Sequence, residues 1–453
     1  MSIDIDDRDS PTIPSLHASP TVENPRARAA ADAGGAVWRD LLVALAAFVA
    51  SRALLALIGL LAVFYLLPLM ARNLTRHSLG ADTRLPDALW LMWNRFDSGF
   101  YLGIARHGYW PAATLHHMSN WVFYPLYPLL VRLFGHLLGG TDTAFNLAGL
   151  AVANGATLAA FALLHRLTRM ELGRAAAARA VGLLALFPTG FYLSATYPFS
   201  LFLALSLGSL YAARRGRWAV AGLCGGLAAL TRAQGLLLLV PLLWEYWQAV
   251  SERHAPPDRY ARSPLERARS RVSSRLRGPA LALRDGRDAR ALLSLAIVPL
   301  GALLFMAYAG VKTGDILAAS HNEFYWGRVF EPPWTLLWHS LTHPPIANPL
   351  AWDFWPLNNA AAILFLLATL WAFRALPAIY ALYSLVMVLS PLSSGSMQSL
   401  GRYYVVVFPA MMLLARWSGK EGSPVRQYLL ASLCAALQAV FMILFVLALP
   451  AMA

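Results

Sequence analysis

The chain has 453 residues, of which 58% are apolar and only 13% charged, against about 45–50% and about 25% in soluble globular domains. That excludes a soluble chain of two or three packed cores. The net charge of +14, from 37 Lys and Arg against 23 Asp and Glu, sits in the links between apolar runs, so it speaks for membrane topology and against nucleic acid as a partner.

Residues 1–35 are polar and acidic at the start (Asp4, Asp6, Asp7, Asp9). They predict a disordered cytoplasmic tail and no cleavable signal peptide. The first apolar run covers about 38–67. After a connection at 68–142, further spans are expected near 143–165, 176–193, 198–213, 217–231 and 235–250. A polar segment, 251–290, carries eleven arginines. Spans near 291–311, 356–373, 377–392, 402–416 and 427–449 complete the chain. The expected fold is an all-α polytopic membrane protein of about eleven transmembrane helices. Its parts are the tail (1–35), an N-terminal transmembrane module (36–250), an Arg-rich cytoplasmic loop (251–290) and a C-terminal transmembrane module (291–453). Cys224 and Cys434 both fall inside apolar runs and read as small buried hydrophobes.

The basic clusters set the orientation. Arg26, Arg28 and Arg39 precede the first span. Arg166, Arg169 and Arg174, then Arg214, Arg215 and Arg217, then the segment 251–290, and finally Arg416, Lys420 and Arg426 occupy alternate links. Eleven spans put all of them on one side, which the positive-inside rule makes cytoplasmic. The stretch 121–138 (WVFYPLYPLLVRLFGHLL) would break this count if it crossed. Pro125, Pro128 and Arg132 mark it as re-entrant or interfacial. The long connections 68–142 and 312–355 are then external. They carry Trp90, Trp93, Trp110 and Trp121, and Trp326, Trp334, Trp338, Trp352 and Trp355, which suits a structured cap at the membrane surface.

The most informative segment is 90–109, WLMWNRFDSGFYLGIARHGY. On one helix Trp93, Asp97, Tyr101 and Ile104 share a face, placing a carboxylate in an aromatic stripe where desolvation would make it a better base. Alternatively, Asp97 ahead of Ser98 and Gly99 is the N-cap of a helix that begins after it. Arg402, Arg232 and Arg328 lie on the external side, where topology disfavours arginine, and are candidates for binding a phosphate; snorkelling to lipid head groups is the plainer reading. Glu323, beside His321, is a second polar candidate. Tyr124 and Tyr127 suit packing, with Tyr124 kept as a substrate contact. His107, His116, His117, His321, His339 and His343 show no zinc-ligand spacing, and no metal or other cofactor is expected.

In order along the chain, RFDSGFYLGIARHGY, FYPLYPLL (123–130), RLTRMELG (166–173), LFPTGFYLSATYPFSLFLAL (186–205), RRGRWAVAGLCGGLAALTRAQGLLLLVPLL (214–243) and GRYYVVVFP (401–409) resemble the PIG-V type mannosyltransferases. That is the GPI mannosyltransferase II family with its bacterial relatives. The resemblance is close over 90–245 and looser beyond, where FYWGR (324–328) and GRYY (401–404) are anchors. It implies a GT-C architecture. It implies a polyprenyl- or dolichyl-phosphate sugar donor used at the outer leaflet, and an acidic residue in the first external loop, matched here by Asp97. Phe96 stands where the family usually has Trp. Arg402 and Tyr403 match the family's Arg-Tyr pair, and His107 its His-Gly-Tyr.

The implied activity is an inverting transfer of a sugar, mannose by the family's name, to an acceptor hydroxyl on a glycan or glycolipid. Asp97 is the expected general base, and Arg402, Arg232 and Arg328 are the expected ligands of the donor phosphate. Trp93, Tyr101, His107, Tyr124, Glu323, Trp326 and Tyr403 are the expected substrate contacts. The expected location is the plasma membrane, with the N-terminus cytoplasmic and the site extracytoplasmic. A transporter or flippase of a lipid-linked intermediate predicts balanced inverted halves, which the sequence does not display. A non-catalytic membrane scaffold is the other alternative, and it needs no interfacial carboxylate.

Overall fold

The computed structural model describes residues 25–70, 85–254, 285–343, 355–419 and 424–449. Much of the expected tail and most of the Arg-rich loop lie outside them. The first helix, α1 (Pro25–Leu61), begins inside the stretch expected to be tail, and continues through a π-helical turn, Ala62–Leu66, into α2 (Leu67–Met70). Next come α3 (Leu85–Leu91), α4 (Ser98–His107) and α5 (Leu126–Leu137), followed by α6 (Asp142–Leu172), α7 (Arg174–Ala185), α8 (Phe199–Arg214), α9 (Trp218–Thr231) and α10 (Leu239–Arg253). The second half holds α11 (Gly286–Leu295), α12 (Ile297–Thr313), α13 (Ala318–Glu323) and α14 (Pro333–Thr342). It ends with α15 (Trp355–Ala375), α16 (Ala378–Leu392), α17 (Leu400–Tyr403), α18 (Pro409–Ser418) and α19 (Pro424–Val446). The described residues contain no strand.

Among the described residues, five helical stretches are long and apolar enough to cross a bilayer: Trp38–Leu66, Asp142–Leu172, Gly286–Thr313, Trp355–Ala375 and Pro424–Val446. Their outward faces are apolar, as Leu42, Leu45, Val49, Leu57 and Leu61 of α1 illustrate, and a surface of that kind fits lipid. Other expected spans are interrupted. Leu186 to Pro198, Arg232 to Leu238 and, apart from the single turn of α17, Ser393 to Phe408 leave the α-helical path, so α8, α9, α10 and α16 have 16, 14, 15 and 15 residues. Prolines 188, 198, 391 and 409 account for much of this, because proline lacks the amide that a helix interior needs.

The segment 121–138 contains only the 12-residue α5, about 18 Å at the α-helical rise and too short for roughly 30 Å of hydrocarbon. It buries Tyr127, Val131 and Gly135 on one face and turns Leu129, Leu133 and Leu137 outward.

α8 and α9 form an antiparallel pair through the turn Arg215–Arg217, and α6 packs on α8. Phe199 and Thr231 therefore lie at one end of the bundle, and the arginine turn at the other. At that second end Asp40 meets Arg169 at 2.9 Å and His165 at 3.2 Å. Arg214 bridges Glu171 and Glu245.

The α9 helix is packed tightly against α11 and α12. A Cβ on Gly222 would lie 1.8 Å from the Ser294 carbonyl oxygen, and one on Gly226 would lie 2.6 Å from that of Ile297. Small residues one turn apart let membrane helices approach backbone to backbone.

Candidate active site

The site begins with a failed helix. Trp93 to Asp97 do not continue one helix into Tyr101 and Ile104, so the single-face stripe expected from spacing is not formed. The chain turns instead at Phe96, whose φ of +52° is a conformation side chains with a Cβ rarely adopt, costing of order 1–3 kcal/mol. Asp97 then occupies the N-cap position of α4, yet its side chain makes no capping hydrogen bond. It is aimed elsewhere: Oδ2 lies 2.7 Å from Nη2 of Arg402. Both readings of Asp97 therefore meet in one residue, with the backbone of a cap and a carboxylate that does not cap.

Arg402 reaches it from α17, entered through Ser399 at φ +64°. The guanidinium is 7% exposed against 23% for the carboxylate, and its Nε and Nη1 have no hydrogen-bond partner among the described residues. Arg232 stands in extended backbone, φ −157° and ψ 148°, between α9 and the 3-10 turn Ala233–Leu238. This break in the apolar helix turns its side chain inward. Its Nε donates to Gln234 at 3.0 Å. Arg328, after the 3-10 turn Phe324–Trp326, donates to the Tyr403 hydroxyl at 2.8 Å and lies 3.7 Å from Glu323.

The Tyr403 ring collects all three arginines. Their guanidinium carbons lie 5.0 Å (Arg232), 5.5 Å (Arg328) and 5.6 Å (Arg402) from its centroid, within the range of cation–π attraction. Arg232 also stacks on Phe199 at 4.3 Å. Three guanidiniums facing two carboxylates leave one positive charge in excess. Desolvation pushes the carboxyl of half-buried Glu323 up from its ordinary value, against the pull of Arg328 and Arg232. Burial likewise pushes the Tyr124 hydroxyl up to about 12.

These groups line a cavity of about 970 Å³. One wall is aromatic: Phe100 stacks on Phe123 at 4.9 Å, with Trp326 edge-on to both, at centroid distances of 5.0 and 5.4 Å. Another wall is neutral and polar, made by Ser390, Ser393, Ser394, Ser396 and Gln398. The floor carries the charges. The mouth is apolar, with Met118, Val329 and Phe330 exposed at its rim, Phe330 by 81%. The two long connections meet here. The Asn322 side chain donates to the carbonyls of Leu115 and His117 and accepts from the Ser119 amide, and the Trp326 indole donates to the Ser119 carbonyl.

Of the residues singled out from sequence, Asp97, Tyr101, Tyr124, Arg232, Glu323, Trp326, Arg328, Arg402 and Tyr403 line this cavity. Trp93 is buried outside its lining, and His107 is exposed in the last turn of α4, so neither is brought to the site. The helix start at Ser98 explains both, since it rotates Trp93 off the α4 face and leaves His107 at the far end. Tyr127 packs, donating to the Gly149 carbonyl at 2.9 Å.

Sequence reasoning missed Tyr197, Phe199, Gln234 and the serine turn at 390–398. Tyr197-Pro198 ahead of an apolar helix was a usable signal for a constrained turn. Among the described residues, the cavity lining contains no histidine. Among the described residues, His254, Asp285 and Asp288 bring ligand atoms within 4.8 Å of one another. They lie near the C-terminal end of α10, and Asp288 is paired there with Arg253 and His254.

Comparison with known proteins agrees with the sequence resemblance. A segment of 114 residues is 33% identical to GPI mannosyltransferase 2 of Yarrowia lipolytica, covering 25% of this chain and 32% of that relative. Among solved structures, ArnT from Cupriavidus metallidurans bound to undecaprenyl phosphate is similar at a TM-score of 0.45 and 16% identity, covering 80% of this chain and 75% of that one. The oligosaccharyltransferase of Archaeoglobus fulgidus tethered to an acceptor peptide gives 0.42 and 14%, over 89% of this chain and 55% of that one. The family model for mannosyltransferase (PIG-V) matches residues 45–251 of this chain.

Proposed function

We propose that this protein is a membrane glycosyltransferase that moves a sugar, mannose by family, from a polyprenyl-phosphate donor to an acceptor hydroxyl, with inversion, at the extracytoplasmic surface. The observation that carries this reading is the convergence of Asp97 with Arg402, Arg232 and Arg328 in one cavity. The acceptor hydroxyl attacks the anomeric carbon. Asp97 takes its proton, and the lipid phosphate leaves as an anion into the guanidinium cluster. Arginine suits that task because its planar fork matches phosphate oxygens. The Asp97–Arg402 pair engages only Oδ2, so a donor phosphate that draws Arg402 away would free the carboxylate for the acceptor proton.

The polarity of the cavity supports a lipid-linked donor. An amphiphile with an anionic head fits a charged floor beneath an apolar rim, as at Val329 and Phe330. A nucleotide sugar has no use for such a rim.

The test is a transfer assay on purified protein with two donors, polyprenyl-phosphate mannose and a nucleotide-linked mannose, and with Arg402→Ala alongside. The reading expects transfer from the lipid donor alone. For Arg402→Ala it expects weaker donor binding in a titration and turnover lower by ~10²-fold, the usual cost of one charge-stabilising donor. Transfer from the nucleotide donor, or unchanged donor affinity in the variant, would refute it.

A further inference from the structure

Resting on the reading of Asp97 as the base, we infer that Tyr197 is a positioning residue: its hydroxyl locks the strained turn that aims the Asp97 carboxylate into the cavity. The Tyr197 hydroxyl accepts from the Asp97 amide at 3.1 Å and donates to the Arg95 carbonyl at 2.9 Å. One oxygen thus bridges both ends of the turn whose middle residue, Phe96, sits at φ +52°. The neighbouring residue extends the seam, with the Thr196 amide donating to the Trp93 carbonyl at 3.4 Å and the Thr196 hydroxyl bonded to Asn94.

The Tyr197 ring is held in turn by Tyr192 edge-on at 5.2 Å and by stacking on Phe199 at 5.9 Å. The Arg402 guanidinium lies 5.7 Å from the same ring. One buried side chain therefore touches both halves of the Asp97–Arg402 pair, through its hydroxyl to the backbone of one and through its ring to the guanidinium of the other.

A turn containing a side chain at positive φ relaxes unless its surroundings hold it. Relaxation here swings Asp97, and small misplacements of a catalytic group slow reactions out of proportion to their size. Tyr197→Phe removes the hydroxyl and keeps the ring, so the packing and the arginine contact stay.

Three variants, Asp97→Asn, Tyr197→Phe and the double variant, are compared in a polyprenyl-phosphate mannose assay and in a polyprenyl-phosphate titration. The expected results are a kcat for Tyr197→Phe lower by about ten- to a hundredfold, a lipid-phosphate affinity within twofold of wild type, and a double variant no slower than Asp97→Asn, because residues acting as a unit are not additive. Tyr197→Phe turnover within twofold of wild type overturns the inference. So do losses that multiply in the double variant, which mark a general packing defect.

If Tyr197→Phe does not yield monodisperse protein, the same question is put in a Phe96→Gly background, where positive φ carries no steric cost. There, adding Tyr197→Phe is expected to change kcat less than threefold, and a tenfold loss contradicts the idea. A fast Asp97→Asn sinks the reading of the base itself, whereas a slow Asp97→Asn beside a fast Tyr197→Phe sinks only the role given to Tyr197.

Discussion

At the scale of single residues, the site is a problem in charge placement. Asp97, Glu323, Arg232, Arg328 and Arg402 would be costly in an apolar bundle if each stood alone. Here each has a partner: Arg402 for Asp97, Glu323 for Arg328, and the faces of Phe199 and Tyr403 for Arg232. Glu323 is the weakest member, since its ion pair is long at 3.7 Å and desolvation raises its pKa. The folded state therefore holds a proton on Glu323 more readily than the unfolded chain does. The stability this lends is present at low pH and is lost as pH rises through the raised folded pKa. Glu323→Gln should consequently melt higher than wild type at pH 8, with the gap closing toward pH 4. Thermal scans in detergent at the two pH values check this, and a lower melting temperature at pH 8 would contradict it.

Sequence alone reached most of these residues because arginine in links expected to be external and aspartate in an aromatic segment stand out against their surroundings. Tyr197 and Gln234 did not stand out. A tyrosine ahead of a helix and a glutamine beside an arginine are common in packed membrane proteins, and only their partners 100 residues away in Asp97 and two residues away in Arg232 give them meaning.

At the scale of elements, breaks matter more than helices. The α4 helix starts after Asp97 where periodicity alone would have carried it through from Trp93, and the start is forced by Phe96. Side-chain periodicity cannot see a positive φ at a phenylalanine, so the expected stripe failed while the identity of the acidic residue survived. The interruption after α9 places Arg232, and the turn at 393–399 ends with Ser399, the N-cap of the helix that carries Arg402. At Gly395, φ +67°, an added Cβ would meet the Val329 carbonyl oxygen at 2.4 Å, so this turn also presses the 328–331 segment into the cavity mouth.

The contact of α9 with α12 is equally demanding. Gly226→Val places branched carbons where the Ile297 carbonyl oxygen already sits 2.6 Å from an ideal Cβ, and overpacking of this kind typically costs about 1–3 kcal/mol. The variant should lose several degrees of melting temperature and part of its yield, measured by fluorescence-detected size exclusion after heating. A melting curve identical to wild type would show that the helices part without strain.

At the scale of the whole molecule, the bundle has two chemically distinct ends. One carries the arginine turn 215–217 and the buried pairs of Asp40 and Glu171. The other carries the cavity. The membrane class was legible in the sequence because hydrocarbon thickness is written in composition. The interruptions within the expected spans were not, because hydropathy does not register where a proline or an extended arginine breaks an apolar run.

The proposed orientation places the cavity end outside. In right-side-out vesicles from cells making a variant free of Cys224 and Cys434, Met118→Cys should react with a membrane-impermeant maleimide, and Arg215→Cys only after permeabilisation. The reverse pattern would turn the molecule over and remove the extracytoplasmic site.

The central claim concerns one carboxylate, and the turnover of purified Asp97→Asn with polyprenyl-phosphate mannose, measured beside its affinity for the lipid phosphate, tests it most directly. The account predicts a kcat lower by ~10²–10⁴-fold, the span usual for a general base, with lipid-phosphate affinity changed only severalfold. Turnover close to wild type would show that the acceptor proton leaves by another route and that the Asp97–Arg402 pair serves structure alone.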